Sequence, residues 1–524
     1  MSPLMIASRP LVVSQGRPQV GDEETRFAGG LNIVSADDAL GADQFRRGEN
    51  GRLTIFGAFQ KRGGTQRTAP ALVAGSPIQN GQPWAPGTGA KQTLVAVNGT
   101  LFTTTGYTPF PLTWTQRGAV QALSPIVAPW FTPFISNLGT ECVYIADGGA
   151  LNKYQANALV TNLAGTPNCT VLAAHNERLW GAGDPAFPDS LFYSGLNDGD
   201  SLGVGAAGGG QIIVRTFGAE KIIGLRSLGT SLMILHTRGV SRLTGYGQSD
   251  ISVQPAGITR DVGTVAKFSP LVVDNLLYFV SDRGLYVASE QDVAPVNTPD
   301  RPDPLSIYLP AMSAANLAAI RLTLNRGTRE LMIHVPGYGI FLYHTILKAW
   351  AGPWTDGYLS PETTALFESY NENDYPIVLA GDASGFVSET DRPGVFRDNV
   401  APDGTGGSAI SMTLKCRRLY AGDPHVSKAW RNVYVLAALA GSKSTTVTCT
   451  SETVSDAHQL DPSNVGTWGF GTWGTGTWGA LNQVSYEEPM AGTGYFQDVS
   501  ITDAGEALPV FSQVRVRGFL LGRR

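Results

Sequence analysis

LLYFVSDRGLYVAS, residues 276–289, has the form of a β-hairpin. Two short apolar runs rich in β-branched and aromatic residues flank Ser281-Asp282-Arg283-Gly284, the pattern of paired strands joined by a tight turn. The same arrangement recurs as LVAVNGTLFTT from Leu94, CVYIADGGALNKY from Cys142, VLAAHNERLWGAG from Val171, LMILHTRGVSRLTG from Leu232, LMIHVPGYGIFLYH from Leu331 and PIVLAGDASGFVSE from Pro376. These seven units fill residues 94–391 at roughly 43 residues apiece, within the length of about 40–50 of a four-stranded propeller blade. The turn glycines Gly99, Gly149, Gly239, Gly284, Gly339 and Gly385 are unevenly spaced, so insertions decorate particular blades. The spacing predicts an all-β chain with a β-propeller of about seven degenerate blades over residues 94–391. A large sandwich or barrel shares the alternation and is the competing architecture. Ala311–Ile320 is the one stretch that reads as helix.

Outside the repeats the texture changes. Residues 1–93 are rich in Gly, Arg, Gln and Pro, with one apolar run at Leu53–Phe59 followed by Lys61-Arg62-Gly63-Gly64-Thr65. Too few periodic apolar positions exist there for a core, so an extended N-terminal arm that lends strands to other edges is expected. Residues 392–409, a Pro, Gly and Asp stretch, read as a linker. From Ile410 alternation resumes in MTLKCRRLY, AWRNVYVLAALA, STTVTCTS, YFQDVSIT and FSQVRVRGFLLG, which predicts a C-terminal β-sandwich over 410–524.

Composition narrows the function classes. Of 524 residues 63 are Gly and 32 Pro, too many breaks for a helical protein. Charged residues make up 15% and apolar residues 42%, which excludes a disordered polyelectrolyte. A net charge of −5 gives no bulk attraction to nucleic acid or anionic membrane. Cys142, Cys169, Cys416 and Cys449 lie far apart without Cys-x-x-Cys spacing and read as reduced core thiols. No signal-peptide core and no run of about 18 apolar residues occurs, so synthesis in a cytoplasm without a membrane span is expected. Arginine outnumbers lysine 29 to 9, a bias that suits planar contacts in subunit interfaces.

Several motifs invite chemistry and fail on context. Gly199-Asp200-Ser201-Leu202-Gly203 matches a nucleophile elbow, but the following GVGAAGGGQ cannot form the helix such an elbow needs. G-x-G-x-x-G occurs at Gly203–Gly208, Gly469–Gly474 and Gly474–Gly479, never between a strand and a helix, so no dinucleotide cofactor follows. The histidines at 175, 236, 334, 344, 425 and 458 form no H-x-x-H pair. Asn197-Asp198-Gly199-Asp200 lacks the spaced carboxylates of a calcium loop. Asp147, Asp282 and Asp382 fall in equivalent turns, where an Asp bonding its own backbone is the simpler account than a carboxylate pair for glycoside hydrolysis. No catalytic residue, cofactor or metal ligand is assigned. In GTWGFGTWGTGTWG the five-residue spacing of Trp468, Trp473 and Trp478 sends successive rings to opposite faces of a strand, which makes them candidate interface residues.

The order of KRGGT, HNERLWGAG with FPDSLFYSG, SLMILHTRGVSRLTG, GLYVAS and LMIHVPGYGIFLYHTILKAWAGPW, then GDPHVSKAWRNVYV and a final VRVRGFLLG, resembles the β-propeller tail hub or nozzle (tail tubular) proteins of short-tailed bacteriophages. The resemblance lies in layout and short motifs across most of the chain. It implies a structural, non-enzymatic virion protein of the tail, made in the host bacterial cytoplasm. It further implies a homo-oligomeric ring, most often a hexamer, that extends the DNA channel below the portal. An adaptor or head-completion protein would sit above it, tail fibre or spike proteins would attach to it, and viral DNA would pass through at ejection. A ring that passes DNA must not hold it, which the net charge of −5 suits. The chain is shorter than the largest nozzle proteins, and the Trp-Gly repeat matches no motif of the family. The alternative is a carbohydrate-binding or polysaccharide-degrading propeller protein of a phage tail.

Overall fold

Each of the seven repeated units is a hairpin in a different antiparallel sheet. The computed structural model describes residues 19–104, 111–205, 208–214, 220–245, 252–439, 444–460 and 484–522. The chain is all-β, built of many small antiparallel sheets. The first strands of the seven sheets are Ile78–Trp84, Trp130–Ile135, Val171–His175, Ile222–Leu228, Leu271–Val273, Arg321–Asn325 and Thr363–Tyr370. Three further strands follow each of the first six in chain order, so those six sheets each contain a four-stranded meander. First strands of successive sheets pack side by side, and Thr363–Tyr370 of the seventh packs against Ile78–Trp84 of the first.

The seventh sheet takes its fourth strand from the other end of the chain. Gly64–Arg67 pairs antiparallel with Val387–Arg392, with Arg67 opposite Ser388 and Gln66 opposite Glu389. The expected arm over residues 1–93 is therefore partly repeat: Gly64–Arg67 completes the last sheet and Ile78–Trp84 begins the first. Both strands escaped the sequence pattern because GTQR and IQNGQPW carry few apolar residues. Their burial is dictated by the neighbours they meet.

Turn chemistry explains the hairpins. Gly99 and Gly385 take φ of +73° and +91°, a region costly for residues with a Cβ. A side chain at either would also run into a backbone carbonyl, of Leu123 or of Val73. Apolar clusters then fill the spaces between neighbouring sheets rather than one common centre. Ile78, Val95 and Phe102 of the first sheet meet Phe367, Leu379 and Val387 of the seventh in one such cluster. All four cysteines are buried and unpaired, and burial pushes Cys142 up to about 11 and Cys416 and Cys449 up to about 12. The helix expected over Ala311–Ile320 shrinks to Ala314–Ala318, capped by the Ser313 side chain.

The C-terminal region is not separately packed. Its strands Met412–Cys416, Asp498–Asp503, Thr446–Thr450 and Ser455–Gln459 extend the sixth sheet, through the arm strand Gln44–Glu49 and a Gly48–Gly352 bridge. A second sheet joins Val510–Gly522 and Ser427–Ala438 to the arm strands Gln19–Thr25 and Phe59–Lys61. One apolar cluster runs from Ile333 and Phe341 of the sixth sheet to Leu414, Val433 and Val514. The expected linker over 392–409 carries a two-residue pairing of Arg397–Asp398 with Ser408–Ala409.

Candidate functional site

Two groups of side chains stand out by charge and burial, one where the arm, the seventh sheet and the C-terminal sheets meet, the other where the first strands meet.

The junction is built on Asn50 through Gly64. Arg52 is clamped between Glu330 and Asp391, and against the burial that opposes charge these carboxylates hold its guanidinium above the ordinary range. Lys61 Nζ reaches Asp503 at 2.8 Å and the Gly505 carbonyl at 2.6 Å. Arg62 donates two bonds to Asp398, of 2.8 and 2.5 Å, and one of 2.7 Å to the Asp356 carbonyl. Its guanidinium lies 5.5 Å from the Trp354 ring and 5.0 Å from that of Tyr358. Gly63 N–H donates to Asp391 at 2.6 Å, and at Gly64 a Cβ would collide with the backbone of Arg397. Lys61-Arg62-Gly63-Gly64 of KRGGT is thus a structural clasp.

The second group begins with two stacked rings, Trp130 and Phe268, whose centroids are 5.5 Å apart at 20°. Arg226 from the fourth sheet lies over Trp130 at 4.3 Å, and Arg321, which opens the sixth, lies over Phe268 at 4.2 Å. Lys267 Nζ sits 5.0 Å from the Phe268 ring and donates to the Ala128 carbonyl at 2.7 Å. Arg226 Nε donates to the Pro270 carbonyl at 2.9 Å and Arg321 Nε to that of Thr364 at 3.2 Å. Among the described residues no carboxylate lies within 4.0 Å of these three cations. Burial without such a partner pulls Arg226 and Arg321 down to about 10. Lys267 falls to about 7, by burial first and Arg321 second, with Asp147 pulling the other way.

Trp130, Arg226 and Phe268 line a cavity of about 350 Å³ whose walls come from the first strands of six of the seven sheets and the segment before the fifth. Glu368 is on the same wall, its carboxylate paired with Arg326. Beside Arg321, His334 is buried, neither ring nitrogen hydrogen-bonded among the described residues, and burial, with Arg321 adding to it, pushes it down to about 3.

The residues singled out from sequence lie elsewhere. Trp468, Trp473 and Trp478 fall outside the described residues. Ser201 is buried in a short 3-10 turn, donating to the Asp198 carbonyl and accepting from Gly195 N–H, both at 2.8 Å. Asp200 is tied to Lys153 and to the Tyr144 hydroxyl at 2.8 Å. Asp147 accepts from Ser124 and Gly149 N–H, and Asp382 from Ser384 and Phe386 N–H, which is the turn role. Asp282 accepts from the Ser281 hydroxyl at 2.9 Å. Among the described residues no group of three His, Cys, Asp or Glu could hold a metal ion, and no helix is long and apolar enough to cross a membrane.

Arg226, Lys267 and Arg321 escaped sequence reasoning because they lie 41 or more residues apart. The available signal was an arginine inside the apolar run IIGLRSL, where a buried first strand has no ordinary use for a charge.

No family model and no curated protein matches the sequence. Among solved structures, the chain is similar to the extracellular domain of the hybrid two-component system BT4673 of B. thetaiotaomicron, at 12% identity and a TM-score of 0.43, over 62% of this chain and 39% of that one. It is similar to that of BT3049 of the same organism at 11% identity and a TM-score of 0.37, over 60% of this chain and 40% of the other. The chain spans about two fifths of the length of those domains, and similarity at this level transfers no property to it.

Proposed function

We propose that the seven sheets are the blades of one β-propeller, and that the chain is a structural subunit of a short-tailed bacteriophage tail. In this reading it assembles into a ring, most simply a hexamer, that prolongs the DNA channel and anchors further tail parts. The cyclic packing of first strands, closed by Gly64–Arg67 in the last sheet, supports the propeller.

The observation that carries the assembly is the tip of the hairpin joining Gly51–Leu53 to Phe59–Lys61. There Phe56 is 92% exposed and Ile55 55% exposed, although the hairpin's base is bound to the buried junction just described. Two neighbouring apolar side chains held out on a rigid support lose apolar contact with water only when a partner covers them. The partner proposed is another copy of the subunit.

Native mass spectrometry and electron micrographs of the purified protein test this. A ring that dissociates on Phe56→Asp, with the thermal midpoint of the subunit unchanged, is the expected result. A strict monomer at every concentration, in both the wild type and the virion extract, overturns it.

A further inference from the structure

We propose that the cavity where the first strands meet is a binding site for a small organic carboxylate, whose charged end pairs with Arg226 and whose apolar body rests on the surrounding walls.

Three facts lead there. The first is an uncompensated cation: Arg226, the one cationic side chain lining the cavity among the described residues, lies over Trp130 close to Arg321 and Lys267 at Phe268, with no carboxylate in ion-pair distance of the three, and the wall's own carboxylate, Glu368, is held by Arg326. Contacts with ring faces do not offset the cost of holding partly desolvated cations together. An anion is the missing component, and the low-dielectric walls raise its local concentration.

The second is unused hydrogen-bonding capacity. Of the five guanidinium N–H groups of Arg226, Nε donates to Pro270 and Nη1 to the Leu225 carbonyl at 3.3 Å. Among the described residues Nη2 has no acceptor, and the side chain is partly exposed where it lines the cavity. Arginine suits a planar, two-oxygen acceptor better than a point charge.

The third is the wall. Phe131, Leu271, Val272, Leu322, Leu366 and Phe367 contribute to it, and its volume of about 350 Å³ lies in the range of roughly 300–1,000 Å³ of small-molecule sites. A heavily hydrated inorganic anion would gain nothing from these side chains. A carboxylate on an apolar body would use both halves. Trp130 and Phe268 stack on each other and each carries a guanidinium group over its ring, so these two rings are already engaged.

Benzoate is the probe, with benzamide as its neutral isostere, and calorimetric titration of the intact wild-type protein the measurement. Saturable binding of about one benzoate per chain is expected, with benzamide weaker by about tenfold or more, the value of a charge-assisted hydrogen bond. Arg226→Met should weaken benzoate by a similar factor, and Arg226→Lys should restore part of it. The proposal is overturned if benzoate shows no saturable binding, if benzamide binds equally well, or if inorganic phosphate binds and benzoate does not. The benzamide comparison needs no variant, so misfolding of Arg226→Met cannot rescue or sink the result.

Discussion

Arg62 and Asp398 form a two-bonded ion pair with neither side chain exposed to solvent, although 336 residues separate them in sequence. The pair ties the arm to the segment between the repeats and the C-terminal strands. Removing Asp398 leaves Arg62 charged and buried without its counter-charge, although its bond to the Asp356 carbonyl remains. Asp398→Ala should therefore cost about 3–5 kcal/mol in chemical denaturation, the usual penalty for half a buried pair. Asp374→Ala breaks an exposed pair with Lys91 and should cost no more than about 1 kcal/mol. Equal losses in the two variants would show that the junction is no special source of stability.

Gly64 offers a steric test of the same junction. A methyl group there meets the carbonyl of Arg397, which is backbone and cannot rotate away. Gly64→Ala should open the seventh sheet and expose residues 387–398 to limited proteolysis. Gly205→Ala, where nothing lies within 4 Å, is the matched control and should leave the digestion pattern unchanged.

Stability should respond to pH through groups of opposite sign. His236 and His334 are pushed down by burial, to about 4 and about 3, from an ordinary value of 6.5. The unfolded chain takes up protons first, so each histidine lowers stability by about 1.4 kcal/mol per pH unit as pH falls below 6.5, until its folded value is reached. Asp303 is pushed up by burial, from 3.8 to about 7, against bonds from Leu285 and Leu305 N–H. It lowers stability as pH rises from about 4 to 7. Melting curves of His334→Gln should show weaker acid sensitivity between pH 6 and 4, and those of Asp303→Asn a flatter profile toward neutrality. Parallel profiles for all three proteins would refute the assignment.

Duplex DNA should find little purchase on the isolated protein. With a net charge of −5, affinity no tighter than about 10⁻⁴ M at physiological salt is expected in filter binding. Micromolar retention would identify a DNA-holding plug in place of a passive conduit.

The hairpins were legible in the sequence because their chemistry is local: strand formers flank a turn whose glycine or asparagine is needed within a few residues. LMIHVPGYGIFLYH carries its whole explanation in fourteen letters, and the structure pairs Glu330–Val335 with Gly339–His344 in the register those letters suggest. GTQR at 64–67 carries none, since its burial comes from Val387–Arg392 and Val400, distant in sequence. The cavity was hidden for the same reason. Arg226 is uninformative until Trp130 lies against it, and nothing local announces that contact.

The strand at Gly64–Arg67 also sets a timetable. Thr68 bonds the Val387 carbonyl across 319 residues, so the outer strand of the last sheet has no partner until the ribosome has made almost the whole repeat. At about 5–20 residues per second that takes roughly a quarter of a minute to a minute. Through that interval the early strand waits with Lys61 and Arg62 unneutralised and its hydrogen bonds given to water. Closure of the sheets and docking of the C-terminal strands then share the same few residues, so they complete late and together. A nascent chain released before residue 387 would carry six sheets and an open edge, a species that chaperones and proteases can distinguish from the finished molecule by that edge alone.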